Sequence, residues 1–286
     1  MSNVSQMIRS VAQTKKVLQY IVEKDYALTY LLAAIVQADG LGENLVLKGG
    51  TALKKLYFAE YRFSEDLDYS TRVMGPIQQI DVAMEAVVRS MSKMLNERGP
   101  FRVELEPLML KQPHSGDQKA YWVRVQFPAQ RQALCRLKVE ITVDEPILTS
   151  VKVCPILHGF AEDIEMQIPV YSLEEITVEK LRALLQSKVR LHERGWGASR
   201  VCRDYYDLWT LLQVPGLKSS DLLPLLAEKC VVRNVTYESP DDFISQDLMA
   251  VASAEWAQQL LPFVPDAPAA EELLPQVQSF ILSIWA

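Results

Sequence analysis

The chain has 286 residues, 49% of them hydrophobic, and a mean hydropathy near zero, which is the composition of an ordinary soluble globular protein of one or two domains. The polar N-terminus argues against a secretory signal, and the longest apolar stretch, 26–38, is too short to cross a membrane. Four scattered cysteines predict reduced thiols in a cytoplasmic protein, and three histidines without ligand spacing argue against a zinc site.

Charge is distributed unevenly along the chain, although the net charge is only −6. Seven Lys and Arg residues and one acid lie between Lys180 and Arg203, giving that segment a charge of +6. From Asn234 to the end there are eight acids and no Lys or Arg. The basic segment is therefore a candidate for binding phosphate, and the acidic tail is not.

The first elements end in a short buried strand. Apolar residues recurring every three or four positions predict helix over Val4–Leu41, and the apolar run that begins at Leu45 predicts the strand. A Gly49-Gly50 pair then predicts a turn, and Thr51 opens an amphipathic helix.

Two aspartates follow that helix in the sequence Asp66-Leu67-Asp68-Tyr69. On a strand, Asp66 and Asp68 share one face and are ~6.6 Å apart along the backbone, a spacing that favours a cation between them. Glycines at a helix start leave backbone N–H groups open to an anion. Taken alone, the glycine pair is most simply a turn, and a bare DxD is only weakly specific. The two motifs joined by one helix indicate transfer of a nucleotide or phosphoryl group.

The middle of the chain alternates between helix and strand. A helix is predicted over Ile77–Glu97, then strands over Phe101–Leu108 and Tyr121–Phe127, with a loop over 111–119 between the strands. In the next strand, 137–143, alternate residues face a core and Glu140 faces the other way. Glu140 is equally well interpreted as a third carboxylate beside the two aspartates or as a solvent-facing glutamate.

The basic segment begins in a helix that Ser172 caps and that runs from Leu173 to about His192. Within it, Lys180 lies beside the apolar stripe, so its amine either reaches out to water or meets an anion. A further helix, Arg200–Leu212, carries Asp204 and Asp207 on the face of its arginines, a pattern typical of surface ion pairs.

Short helices complete the chain, and a soft domain boundary is predicted near Pro169. Proline-rich breaks separate three predicted helices, which cover the ranges Leu222–Val232, Pro240–Leu261 and Glu271–Trp285.

Four motifs in this order resemble those of the AbiEii/AbiGii-type nucleotidyltransferase toxins, a group that includes MenT-type toxins within the polymerase-β-like superfamily. They are KGGTALxK (48–55), RxSEDLD (62–68), TVEKL (177–181) and RxxRDxxDL (200–208). The resemblance implies an α+β fold with a polymerase-β-like nucleotidyltransferase core, a mixed sheet with helices, plus a helical C-terminal part. It implies a nucleotidyltransferase domain with N-terminal helices over 1–169, and a helical domain over 170–286 that completes the active site.

The resemblance also implies roles for individual residues. The nucleotide would be held by the residues around the glycine pair and beside the DxD, namely Lys48, Gly49, Gly50, Thr51 and Ser64. Asp66 and Asp68 would bind Mg²⁺ and act in catalysis, with Glu140 as a third ligand. Lys180 would contact the triphosphate, Asp204 would orient or deprotonate the incoming group, and Asp207 would brace its helix. The RNA-binding candidates are the cations of the basic segment, Arg182, Lys188, Arg190, Arg194 and Arg200.

The function expected on this basis is Mg²⁺-dependent transfer of NMP from an NTP to RNA, with the tRNA 3′ end as acceptor. The protein would be the cytoplasmic toxin of a toxin–antitoxin or phage-defence pair, restrained by an antitoxin and not bound to a membrane. One alternative is a phosphotransferase that phosphorylates a protein or its own Ser64. Another is a non-catalytic nucleotide-binding module, although intact Asp66, Asp68 and Lys180 argue against it.

Overall fold

A computed structural model describes residues 3–74, 79–109 and 118–285. The chain divides into two compact units, Met1–Tyr171 and Ser172–Ala286. Within the described ranges, all strands belong to the first unit, and the second is built from helices. The expectation that the second unit completes the active site stays a prediction.

The helices of the first unit are amphipathic or buried, and they surround one sheet. Their ranges are α1 Asn3–Lys15, α2 Gln19–Val36, α3 Gly49–Ala52 and α4 Ile80–Asn96, and a π-helical turn, Leu53–Tyr57, continues α3. The single N-terminal helix expected from the sequence is interrupted, because Lys16 adopts φ 55° between α1 and α2. The predicted start of α4 at Ile77 lies outside the described residues, but all six positions of its predicted apolar stripe are buried.

The sheet is mixed and has seven strands in the order β3-β4-β5-β2-β1-β7-β6. The central strand β2 runs antiparallel to β1 and parallel to β5. The strand ranges are β1 Leu45–Lys48, β2 Asp66–Thr71, β3 Arg102–Pro107, β4 Gln118–Gln126, β5 Cys135–Thr142, β6 Lys152–Pro155 and β7 Gln167–Val170. The last two were not predicted, because they have four residues each, contain proline and show no clear alternation. Most of the loop predicted between β3 and β4 lies outside the described residues.

The second unit begins with α5, Leu173–Arg194, whose backbone N–H at Glu175 donates to the Ser172 hydroxyl as the sequence predicted. The helix predicted over Pro240–Leu261 is in fact four shorter segments. The unit's remaining elements are α6 Val201–Leu211, α7 Ser219–Val232, a 3₁₀ turn Pro240–Phe243, α8 Gln246–Glu255, a π turn Trp256–Leu260, a 3₁₀ turn Leu261–Phe263 and α9 Ala270–Ser283. No helix in the described ranges is both long and apolar enough to span a membrane.

Candidate functional site

Polar residues form a row across the three central strands of the sheet. Lys48 at the end of β1 is the Cα partner of Asp68 in β2, and Asp68 is in turn the partner of Glu140 in β5. Residues opposite each other in neighbouring strands point to the same face. Asp66 shares that face, because Leu67 and Tyr69 between and beyond the aspartates are buried while both aspartates are partly exposed. The sequence-predicted pairing of Asp66 and Asp68 on one strand face is present.

The glycine pair forms the first turn of α3 instead of preceding it, so the predicted helix start at Thr51 is two residues too late. Gly49 has φ +75°, which favours glycine, and a Cβ atom there would lie 2.8 Å from Oδ2 of Asp68. At Gly50 a Cβ atom would lie 2.5 Å from Nη2 of Arg62 and 3.3 Å from Oγ of Ser64. The missing side chains therefore let the Asp68 carboxylate and the Ser64 hydroxyl approach the start of the helix.

Thr51 and Arg62 hold this corner together. The buried Thr51 hydroxyl donates to the backbone carbonyl of Asp66, which joins α3 to the start of β2. Arg62 is also buried, and its guanidinium donates to the carbonyl of Phe63 at 3.3 Å. The segment that leads into the two aspartates is thus fixed against the glycine turn, and a positively charged group lies beside it.

The carboxylates of β2 suit a divalent cation, since hard oxygen ligands are those that Mg²⁺ prefers. A side chain at Gly49 would fill the space beside Asp68 Oδ2, so the glycine keeps this carboxylate accessible. Glu140, the Cα partner of Asp68, stays a predicted third ligand. Its carboxylate lies 2.9 Å from the Lys138 amine, and no group of three Asp, Glu, His or Cys side chains in the described residues could hold a metal.

We predict that Gly49→Ala reduces transfer activity about 100-fold, because the new methyl group displaces the Asp68 carboxylate. Gly40→Ala is the matched control: Gly40 has the same φ of +75°, but nothing lies within 4 Å of its Cβ position. Both variants should lose similar stability, measured as the urea midpoint, through backbone strain. Equal activity losses in the two variants would contradict a specific effect on Asp68.

Lys55, the last residue of the first motif, has a structural partner that the sequence analysis missed. Its side chain is 1% exposed, and its amine lies 2.7 Å from Oδ1 of Asp25 and 3.0 Å from Oγ1 of Thr29 in α2. Fully buried charges are rare unless paired, so the signal available in the sequence was Asp25 directly before the apolar run of α2. Lys55 anchors the glycine-led helix to the core.

Replacing Lys55 by methionine should destabilise the first unit by about 3 kcal/mol, since Asp25 would remain buried without its counter-charge. The double variant Lys55→Met/Asp25→Leu should recover much of that loss, because no isolated charge remains. Urea unfolding of the two variants and the wild type tests this. A double variant as unstable as the single one would show that the charge pair is not the cause.

In the second unit, Lys180 meets two aspartates of α6. Its amine lies 2.8 Å from Oδ1 of Asp204 and 2.8 Å from Oδ2 of Asp207. Asp207 is completely buried, whereas Lys180 and Asp204 keep 14% and 18% of their side chains exposed. Interpreting Asp204 and Asp207 as surface ion pairs with their helix's arginines was therefore wrong. Lys180 joins α5 to α6 and retains a small exposed surface.

Several cations of the basic segment are buried or paired, so fewer of them can contact RNA than the segment's charge suggests. Arg182 is buried and donates to the backbone carbonyl of Lys229 at 3.0 Å, so it is a poor candidate for RNA binding. Lys188 pairs with Asp242 of the acidic tail. Arg190 is half-buried, donates to the Gly197 carbonyl, and burial lowers the pKa of its guanidinium while Asp204 opposes this.

Arg194 and Arg200 are the exposed members of the predicted RNA-binding set. Arg194 lies at the end of α5, with its guanidinium 6.0 Å from the ring centroid of Trp196, which is 68% exposed. Arg200 precedes α6. A cation beside an exposed aromatic ring can contact both the phosphate and the base of a single-stranded nucleic acid.

A buried network that the sequence did not indicate links α5 to α7. The Lys229 amine is completely buried, 2.7 Å from Oε1 of the equally buried Glu175 and 3.5 Å from Oε1 of Glu179. Arg182 extends the network through the carbonyl of Lys229. These charges join α5 to α7 within the second unit and are not among the predicted site residues.

Comparison with solved structures shows what fold this chain has. The chain is similar to MenT4, a nucleotidyltransferase toxin from Mycobacterium tuberculosis H37Rv, with a TM-score of 0.56, 17% identity and 98% of each chain covered. The two chains therefore share a fold. The Vibrio cholerae DncV cyclic AMP-GMP synthase is far less similar, with a TM-score of 0.21 and 11% identity. That match covers 99% of this chain and 80% of the synthase chain. A search of curated protein sequences finds no match.

The chain belongs to the family described as "Nucleotidyl transferase AbiEii toxin, Type IV TA system", which matches residues 30–281. Membership confirms the resemblance that the four motifs indicated, together with the expected α+β nucleotidyltransferase fold. The protein is a nucleotidyltransferase toxin of a type IV toxin–antitoxin system. This implies a nucleoside triphosphate as substrate and an antitoxin as partner.

Proposed function

We propose that this toxin transfers a nucleoside monophosphate from an NTP to the 3′ end of an RNA, with tRNA as the acceptor, in the cytoplasm and as part of phage defence. The observation that supports the proposal is the position of Asp68. Its carboxylate lies on the same strand face as Asp66 and against the glycine turn at the start of α3. Carboxylates beside a backbone suited to phosphate form a site for activating a triphosphate.

In this proposal, different residues of the first unit bind the phosphates and the metal. The backbone N–H groups of Gly49 and Gly50 and the hydroxyl of Ser64 bind the phosphates. Lys48, in the same row as Asp68, contributes positive charge. Asp66 and Asp68 hold a divalent metal, Mg²⁺, which neutralises charge on the transferred phosphate when it is bound.

Lys180 and Asp204 are proposed to take part in the same reaction, because they match the third and fourth motifs and keep exposed surface. Lys180 keeps 14% of its side chain exposed beside Asp204, so its ammonium group is proposed to contact a phosphate oxygen. Asp204 orients the hydroxyl of the acceptor and takes its proton. Asp207, which is fully buried, keeps Lys180 in position.

The test is incubation of the full chain with total RNA and each NTP in turn, labelled at either the α- or the γ-phosphate. Nucleotidyl transfer places the α-label on RNA and releases the γ-label as pyrophosphate, and sequencing of the RNA 3′ ends identifies the acceptor. Label from the γ-position on the protein, or on Ser64 in particular, would instead support a phosphotransferase. Loss of α-label transfer after adding EDTA tests the metal.

RNA binding through Arg194 and Arg200 gives a separate prediction. Reversing both charges (Arg194→Glu/Arg200→Glu) should weaken RNA binding and reduce the slope of log K against log salt by roughly 1.5, while NTP binding is retained. The matched control is Lys93→Glu/Arg131→Glu, which reverses two other exposed cations. An unchanged salt slope with a lowered melting temperature would show that the arginines serve stability only.

A further inference from the structure

The first unit contains a cavity that the row of Lys48, Asp68 and Glu140 does not line. It has a volume of about 320 Å³ and is enclosed by α1, the π turn after α3, the segment 59–63 and the loop 156–160. None of the residues proposed to bind NTP or metal lines it. A volume near 300 Å³ is at the lower limit for sites that bind small organic molecules.

Most of the charge around this cavity is neutralised in pairs. At its floor, the buried amine of Lys55 is paired with Asp25. At its more exposed side, Lys15 forms a salt bridge with Glu60. These two pairs leave no net charge, so the charge that a ligand would meet is set by the remaining lining residues.

Lys54 is the cation that remains. Its amine donates to the backbone carbonyl of Ala59 at 2.9 Å, and the described residues place no carboxylate within salt-bridge distance of it. It also lies 5.0 Å from the ring centroid of Phe63, a buried wall of the cavity. Burial lowers the pKa of this lysine, and the charge of Asp25 opposes the effect.

His158 adds a second polar group to the lining. Within the described part of the chain, no hydrogen-bond partner reaches its buried Nδ1 atom. Its ring is stacked on that of Phe160, with centroids 6.3 Å apart. The buried rings of Phe63 and Phe160 and the side chains of Ile156 and Val11 make the rest of the lining largely apolar.

We propose that this cavity binds a small organic carboxylate with an aromatic or compact apolar body. One unpaired ammonium group matches one negative charge, and the buried imidazole nitrogen supplies a second polar contact. The apolar body packs between Phe63 and Phe160. An inorganic dianion such as phosphate is a poor match, because it would bury two charges against one cation and leave the apolar walls without contacts.

The site is joined to the proposed active site by one short stretch of chain. Lys54 and Lys55 belong to the π turn that continues α3, whose first residues are Gly49 and Gly50. Departures from regular α-helix of this kind are frequent at functional sites. The binding proposal does not depend on the proposed nucleotidyl transfer to RNA and is tested without it.

The experiment is isothermal titration of the full-length chain with benzoate, phenylacetate and cyclohexanecarboxylate, and with inorganic phosphate as a comparison. At least one carboxylate should bind with a dissociation constant in the millimolar range or below. Lys54→Met should weaken that binding about tenfold or more, by removing one charge-assisted hydrogen bond. Lys93→Met, which removes an exposed lysine outside the cavity, should leave it unchanged.

A second variant, which fills the cavity, tests the proposal if Lys54→Met is unstable. Val11→Trp should occupy the cavity and abolish carboxylate binding while Lys54 is retained. Thermal melting of each variant establishes that it is folded. Absence of binding by every carboxylate, binding of phosphate alone, or equal affinity in wild type and Val11→Trp would each overturn the proposal.

Discussion

Replacing either Asp66 or Asp68 by asparagine should reduce nucleotidyl transfer by about a thousandfold or more, while the protein remains folded. Both carboxylates are on the partly exposed face of β2, and Asp68 is in contact distance of the glycine turn. Each substitution keeps the shape of the side chain and removes one negative charge. The site then holds a divalent cation and the attached triphosphate far less well.

The thermal stability of these two variants should not fall together with their activity. Two carboxylates two residues apart on one strand repel each other when no cation is bound, so losing one charge relieves that repulsion. The melting temperature in EDTA should be equal to that of the wild type or higher, and the increase caused by Mg²⁺ should become smaller. These measurements separate a lost metal site from a damaged fold.

Asp39→Asn is the matched control, because Asp39 is exposed in the turn that precedes β1 and undergoes the same chemical change. It should retain full activity and the full Mg²⁺-dependent increase in melting temperature. Unchanged transfer in either Asp66→Asn or Asp68→Asn would rule out the two-aspartate site, whatever the RNA acceptor is found to be.

Lys180→Met should lose both activity and stability. The sequence left open whether the Lys180 amine reaches water or meets an anion, and the structure places it 2.8 Å from both Asp204 and the fully buried Asp207. Without the ammonium group, the fully buried Asp207 carboxylate would lose the counter-charge of Lys180. The expected cost is about 3 kcal/mol in the free energy of unfolding.

The two roles of Lys180 can be separated with a second substitution. In Lys180→Met/Asp207→Asn, the buried negative charge is removed together with its partner, so much of the lost stability should return. Activity should not return, because the donor proposed to contact the triphosphate is still missing. The measurements are urea unfolding and single-turnover transfer of α-labelled nucleotide.

The double variant distinguishes a catalytic role of Lys180 from a purely structural one. If it recovers activity together with stability, Lys180 acts only as a partner of Asp207. Asp207→Asn alone should keep measurable transfer, because Lys180 then retains its contact with Asp204. A complete loss of activity in that single variant would indicate that the Asp204 contact alone does not hold the Lys180 amine in position.

Local patterns in the sequence were sufficient to predict the elements that carry the site. Strict alternation in β5 and the apolar stripe of α4 identified their buried faces, since side-chain direction follows from the period of the element. Asp66 and Asp68 were placed on one strand face for the same reason. The four motifs in their order indicated the family, and the family model over residues 30–281 confirms it.

Partners brought together from distant parts of the chain could not be predicted in this way. The Lys55–Asp25 pair, the Lys180–Asp207 contact and the Lys229–Glu175 pair each join two elements, and only packing determines which charges are buried together. The same holds for Glu140, whose strand face was correctly predicted but whose carboxylate pairs with Lys138. Periodicity determines the face on which a side chain lies, whereas the neighbouring element determines whether that side chain binds a ligand or another residue of the protein.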